Sequence, residues 1–129
     1  MYELEINTTK RSQMIDITKR LSTVLHEDKT DNGIMMVFIP HTTAGITINE
    51  NGDPDVKRDI LHQLKEISPQ SEEFKHFEGN SDAHVKASLV GASTQVIIKD
   101  SELCLGTWQS VYLCEFDGPR RRKIWVHIK

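Results

Sequence analysis

Apolar positions follow two periods along this chain, and each switch between them predicts a change of element. Tyr2, Leu4 and Ile6 alternate with Glu3 and Glu5, the period of a half-buried strand. From Met14 the spacing lengthens. Met14, Ile17, Leu21 and Val24 recur every three or four residues, which predicts a helix over 14–25 with Asp16 as its N-cap. Asp31-Asn32-Gly33 is a turn, because Asn and Gly accept positive φ. The unbroken apolar run 34–39 then predicts a central strand covered on both faces, ended by Pro40. Residues 44–50 alternate again, with Ile46 and Ile48 on one side.

The second helix is the clearest. Asp53 caps it, Pro54 takes the first helical position, and Val56, Ile60, Leu64 and Ile67 form its apolar stripe. Residues 68–80 are polar and without period, hence a loop. Ser81 can cap a short helix over 82–90 that Gly91 ends. Strands follow over 94–99, 103–105, 107–116 and 121–128, with a turn at Asp117-Gly118-Pro119. This order predicts one α+β domain, 1–129, with sheets built mostly from hairpins. The strand over 107–116 is apolar on both sides, Val111 and Leu113 on one, Trp108, Tyr112, Cys114 and Phe116 on the other. In the last strand Ile124, Val126 and Ile128 fill one face, and Trp125 shares the other with His127. So small a domain rarely covers both faces of several strands alone, so a second subunit is expected to cover one of them.

Composition narrows the function classes. The chain has 129 residues, 16 Lys and Arg, 19 Asp and Glu, and a formal charge of −3. That balance argues against a generally basic nucleic-acid binder. No apolar run approaches the roughly 20 residues of a membrane helix, and Met1-Tyr2-Glu3-Leu4-Glu5 lacks the order of a signal peptide. Cys104 and Cys114 make neither a disulfide framework nor a zinc motif, so the expectation is a reduced, cytoplasmic protein with no nucleic-acid or membrane partner.

Four places can carry chemistry, and each also has a plainer reading. His41-Thr42-Thr43 lies at a strand end, where binding residues are often displayed, though it also suits a solvated turn. Asn49-Glu50 with Asp53, Asp55 and Asp59 gathers carboxylates that can hold a divalent cation, although Asp53 and Asp55 also suit a helix N-terminus. His76 and His84 bracket a polar loop, and His84 opens a helix whose free N–H groups suit an anion. With His41 they make three imidazoles, enough for an open metal site, or else scattered surface histidines. Arg120, Arg121 and Arg122 beside a turn can clamp phosphate or discourage strand addition; alternation puts Arg120 and Arg122 on one face.

Taken in order, His41-Thr42-Thr43-Ala44, Asn49-Glu50, the helix with Asp59, Asn80 with His84, Leu105-Gly106-Thr107-Trp108-Gln109 and Glu115-Phe116-Asp117-Gly118-Pro119-Arg120 resemble the YjbQ-like family over essentially the whole chain. Gly-Thr-Trp-Gln is the most specific block. Ser101 departs from the pattern, standing where the family usually has glycine before a hairpin strand. The resemblance implies a compact α+β domain with a mainly antiparallel β-sandwich-like core and three helices, assembled as a homotrimer. It also implies a thiamine-phosphate synthase activity, joining a hydroxymethylpyrimidine diphosphate to a thiazole phosphate with release of pyrophosphate. Enzymes familiar for that reaction are TIM barrels of about 250 residues. This chain is therefore an unrelated solution or does something else.

Pyrophosphate departure needs positive charge and donors on the leaving oxygens, usually with a bridging divalent cation. His41 and His84, with Glu50, are the catalytic candidates. Thr42, Thr43, Asn80, Gln109, Arg120 and Arg122 are the phosphate- and substrate-binding candidates, and Trp108 can stack on a heteroaromatic ring. His41, His76 and His84 are the candidate ligands for zinc or magnesium. No nucleophile stands with a base, so covalent catalysis is not expected. The competing reading is a non-catalytic homotrimer that binds a metal or a small phosphate-bearing metabolite.

Overall fold

Two antiparallel sheets and three helices make up the computed structural model, which describes residues 1–129. Along the chain run β1 (Tyr2–Asn7), β2 (Gln13–Asp16), α1 (Thr18–Asp28), β3 (Gly33–Phe38), β4 (Ala44–Glu50), α2 (Pro54–Ile67), α3 (Ser81–Val90), β5 (Ser93–Lys99), β6 (Glu102–Cys104), β7 (Gln109–Glu115) and β8 (Arg121–Ile128). The larger sheet has the order β1-β8-β3-β5-β6 and the smaller β2-β7-β4. The α+β class with a sandwich-like antiparallel core is thus what the structure has.

The main core fills the space between the sheets. Met35, Val37, Val96, Ile98, Ile124 and Val126 from the larger sheet meet Ala44, Ile46, Val111 and Leu113 from the smaller, with Leu21, Val24 and Leu25 of α1. A second cluster on the far side of the small sheet joins Met14, Tyr112, Cys114 and Phe116 to Ala83 and Ala87 of α3, with Ile60, Leu61 and Leu64 of α2 packed against it. Burial in that cluster pushes the Cys114 thiol up to about 12, which makes it inert at neutral pH.

Several sequence expectations change here. Met14 lies in β2, opposite Cys114, rather than in a helix. Its side chain satisfies either period, and pairing with β7 decides. Asp16 still accepts the Thr18 N–H at 3.0 Å, so it supports the start of α1 from outside the helix. On α2 the stripe runs through Ile60, Leu61 and Leu64, while Ile67 is exposed. Asn80 replaces Ser81 at the start of α3.

The two-faced strands resolve differently from expectation. β7 is buried on both sides within one chain, by the main core and by the helices, so it needs no second subunit. β3 is the strand left half-covered: Ile34, Met36 and Phe38 are exposed on its outer face, beside Ile97 of β5. Phe38 stacks on Trp125 at 5.8 Å between centroids, so the bare apolar face belongs to the centre of the larger sheet. At the β5–β6 turn, Asp100 and Ser101 have φ of 52° and 64°, left-handed values that glycine adopts freely. Ser101 offsets part of that strain by hydrogen bonding Asp31 through both its hydroxyl and its N–H.

Candidate active-site groove

Strand pairing fixes where the candidate residues go. β4 pairs antiparallel with β7, matching Ala44 to Glu115 and Glu50 to Gln109. His41, Thr43, Glu115 and Arg122 therefore gather at one end of the small sheet, and Glu50, Trp108 and Gln109 at the other. Six strand steps of about 3.3 Å separate these ends by roughly 20 Å. The single constellation suggested by the motifs is two places in one chain.

At the first end lies a groove of about 550 Å³ lined by His41, Thr42, Ala44, His84, Ala87, Ser88, Gly91 and Ala92. Its floor is narrow because β4 runs close to the end of α3. The Ile46 N–H donates to the Gly91 carbonyl at 3.0 Å, and a Cβ on Gly45 would stand 2.7 Å from that oxygen. Gly45 is thus required by close approach. His41 Nε2 accepts the Lys123 N–H at 2.9 Å. A nitrogen that accepts carries no proton, so this contact selects the neutral imidazole protonated at Nδ1. Burial, and then the nearby Arg122 guanidinium, hold the His41 pKa below the ordinary histidine value.

Beneath His41 lies a buried ion pair. Arg122 donates from Nε to Glu115 Oε1 at 2.8 Å and from Nη2 to Oε2, while Nη2 also reaches Thr43 Oγ1 at 2.8 Å and the Thr43 carbonyl at 3.2 Å. Thr8 donates to Glu115 Oε1 at 2.8 Å, and the N–H groups of Phe116 and Asp117 reach Oε2 at 3.0 and 3.1 Å. Burial works to raise the Glu115 pKa, but the bonds from Arg122, Thr8 and the Asp117 N–H outweigh it and leave it lowered. Arg122 is 2% exposed, and only its Nη1 lacks a partner in the chain. Most of its predicted role as a phosphate clamp is therefore spent on structure.

Arg120 is similarly engaged. Its Nη2 lies 2.9 Å from Asp117 Oδ2, which also accepts from Asn80 Nδ2 at 2.8 Å. Asn80 Oδ1 is buried without a partner. The His76 and His84 rings meet edge-on with centroids 5.6 Å apart. His84 thus touches His76 and shares the groove with His41, but no three His, Cys, Asp or Glu side chains lie close enough to hold a metal ion. The predicted zinc or magnesium triad is not assembled by one chain.

Glu50, Asn49, Ile48, Trp108 and Gln109 line a separate, shallow pocket of about 310 Å³ at the other end. Trp108 is 65% exposed and lies over Gly52, where a Cβ would come within 2.6 Å of the indole. Glu115 and Asp117 stand in the Glu115–Arg120 block of the sequence without an assigned role, and Thr8 was not singled out at all. The signal was available: Arg122 continues the inward face of Ile124 and Val126, and a charge on that face needs a buried partner.

Comparisons with known proteins agree over the whole length. A family model described as UPF0047 protein YjbQ-like matches residues 2–129. A UPF0047 protein of Methanocaldococcus jannaschii is 51% identical over 99% of this chain and 93% of its own. The UPF0047 protein YugU of Bacillus subtilis is 52% identical over 97% of this chain and 96% of its own. Among solved structures, an uncharacterized conserved protein of the yjbQ/UPF0047 family from Clostridium acetobutylicum superposes with a TM-score of 0.97 at 52% identity, covering 100% of both chains. A conserved hypothetical protein from Thermus thermophilus gives 0.93 at 38% identity, again over 100% of both.

Proposed function

The chain belongs to the UPF0047 YjbQ-like family, and from that premise we propose that the His41 groove binds a small phosphate-bearing metabolite and stabilises charge developing on its phosphate oxygens. The observation that carries this reading is the state of His41. Its Nε2 is tied to Lys123, it is neutral, and its other nitrogen keeps a proton for a ligand. A neutral imidazole with one nitrogen fixed as acceptor still presents one N–H, positioned to donate a hydrogen bond to developing negative charge. Thr42, which lines the same groove, is a further donor at this end.

The reaction we assign is thiamine-phosphate synthase-like. The carbon–oxygen bond to pyrophosphate breaks, the electron pair leaves with the pyrophosphate, and the thiazole nitrogen forms the new carbon–nitrogen bond. His41 and His84 hold the leaving oxygens. One chain offers the groove two imidazoles, so the chemistry attributed to it rests on its own donors. The test is pyrophosphate release from hydroxymethylpyrimidine diphosphate and thiazole phosphate. Wild-type protein should release it, and His41→Ala should lose about a hundredfold or more. Binding without release would leave a non-catalytic phosphate-binding module instead.

A second observation concerns assembly. The exposed Ile34, Met36, Phe38 and Ile97 face is what a subunit contact would cover, and we propose a homotrimer built on it, working in the cytoplasm. Sedimentation at micromolar concentration should give three chains per particle; a monomer would refute the assembly.

A further inference from the structure

Helix α3 separates the groove from a second, unrelated pocket. His84 and Ser88 face the groove, whereas Asp82 and Lys86 lie two residues to either side of His84, each about 200° around the helix from it. On that back face, Arg11, Ser12, Lys65, Gln70, Asp82 and Lys86 line a pocket of about 420 Å³ in which Pro69 is the one wholly apolar side chain. Lys86 is 5% exposed, yet its ammonium has one partner, Asp82 Oδ2, at 3.4 Å. An ammonium has three donors, so a buried one with a single long bond is under-satisfied. Arg11 shares the same carboxylate at 3.1 Å, and Lys65, exposed on α2, pairs with no carboxylate. Three cations thus line the pocket with one carboxylate, Asp82, while Arg11 also reaches Asp117 outside it at 3.5 Å.

We propose that this pocket is a binding site for a phosphorylated polyol. Its phosphate meets Lys86, Lys65 and Arg11, and its hydroxyls donate to Asp82 and exchange hydrogen bonds with Ser12. The volume exceeds that of a phosphate group, and Ser12, Gln70 and Asp82 set hydrogen-bonding groups beside the cations, which favours a body that carries hydroxyls. The site needs nothing from the His41 groove.

The experiment is an amide chemical-shift titration at constant ionic strength, with glycerol 3-phosphate, inorganic phosphate and glycerol as separate arms. Glycerol 3-phosphate should move the amides of Ser12, Lys65 and Lys86, and should bind severalfold more tightly than phosphate, with glycerol alone silent. Lys65→Gln, at an exposed and unpaired side chain, should weaken binding about threefold, and Lys86→Met about tenfold. His41→Ala should leave these shifts unchanged, which separates this site from the groove. Unmoved amides at Ser12, Lys65 and Lys86, equal affinity for phosphate and its ester, or undiminished binding by Lys65→Gln would each overturn the proposal.

Discussion

The two ends of the β4–β7 pair are built on opposite terms. At the His41 end, Arg122 and Glu115 are buried, and nearly all their donors and acceptors are spent on one another, on Thr8 and on Thr43. At the Trp108 end a large indole stands 65% exposed over Gly52, and the side chains of Glu50 and Gln109 make local bonds only. A buried ion pair is weak evidence for net stability, since desolvation offsets most of the attraction. Its value here is positional: it fixes Thr43 and the first residues of β8, and Lys123 in turn fixes His41. The conspicuous charges at that end are scaffold, and the group left with a free donor is the neutral imidazole they hold.

That contrast can be broken by mutation. Arg122→Met or Glu115→Gln alone strands a buried partner and should cost about 3–5 kcal/mol in urea denaturation, with the double variant recovering much of the loss. A double variant no more stable than the singles would mean that the pair does more than satisfy itself.

Acid sharpens the same contrast. His41 has a folded pKa below its unfolded value of about 6.5, so its contribution is present above that pH and is lost as pH falls below it. Glu115 is also depressed, from an unfolded value of about 4.3, so its contribution is lost at lower pH still, as its folded pKa is passed. Stability should be level between about pH 6.5 and 8, below the range where an unfolded Cys114 thiol would ionise, and fall in two stages below pH 6.5. His41→Ala should remove the first stage and Glu115→Gln should shrink the second, to which Asp28 also contributes through its hydrogen bonds from Thr30 and Tyr2. The smallest effect belongs to the other end, where Trp108→Ala should change stability by no more than about 0.5 kcal/mol.

Legibility followed how local each signal was. The cap, proline and stripe of α2 all lie within fifteen residues and agree, and that helix begins where they place it, at Pro54. β2 was hidden because Met14 fits both periods and only pairing with β7 excludes the helix. The burial of β3 was overestimated because an unbroken apolar run does not say which face a chain covers itself. The site motifs were legible, but how they group was not. His41 and Glu50 are nine positions apart, and the strand over 44–50 by itself keeps them at opposite ends; what only the β4–β7 register reveals is which partners each end receives.

The central claim is that His41 is a neutral, Nδ1-protonated donor to a phosphate-bearing ligand. The most direct test is imidazole ¹H–¹⁵N correlation on selectively labelled protein at pH 7, before and after adding pyrophosphate. The account predicts a His41 signal of the Nδ1–H form in the free protein, its proton shifting downfield as ligand binds. An Nε2–H or doubly protonated His41, or a ring that does not respond to saturating pyrophosphate, would contradict it.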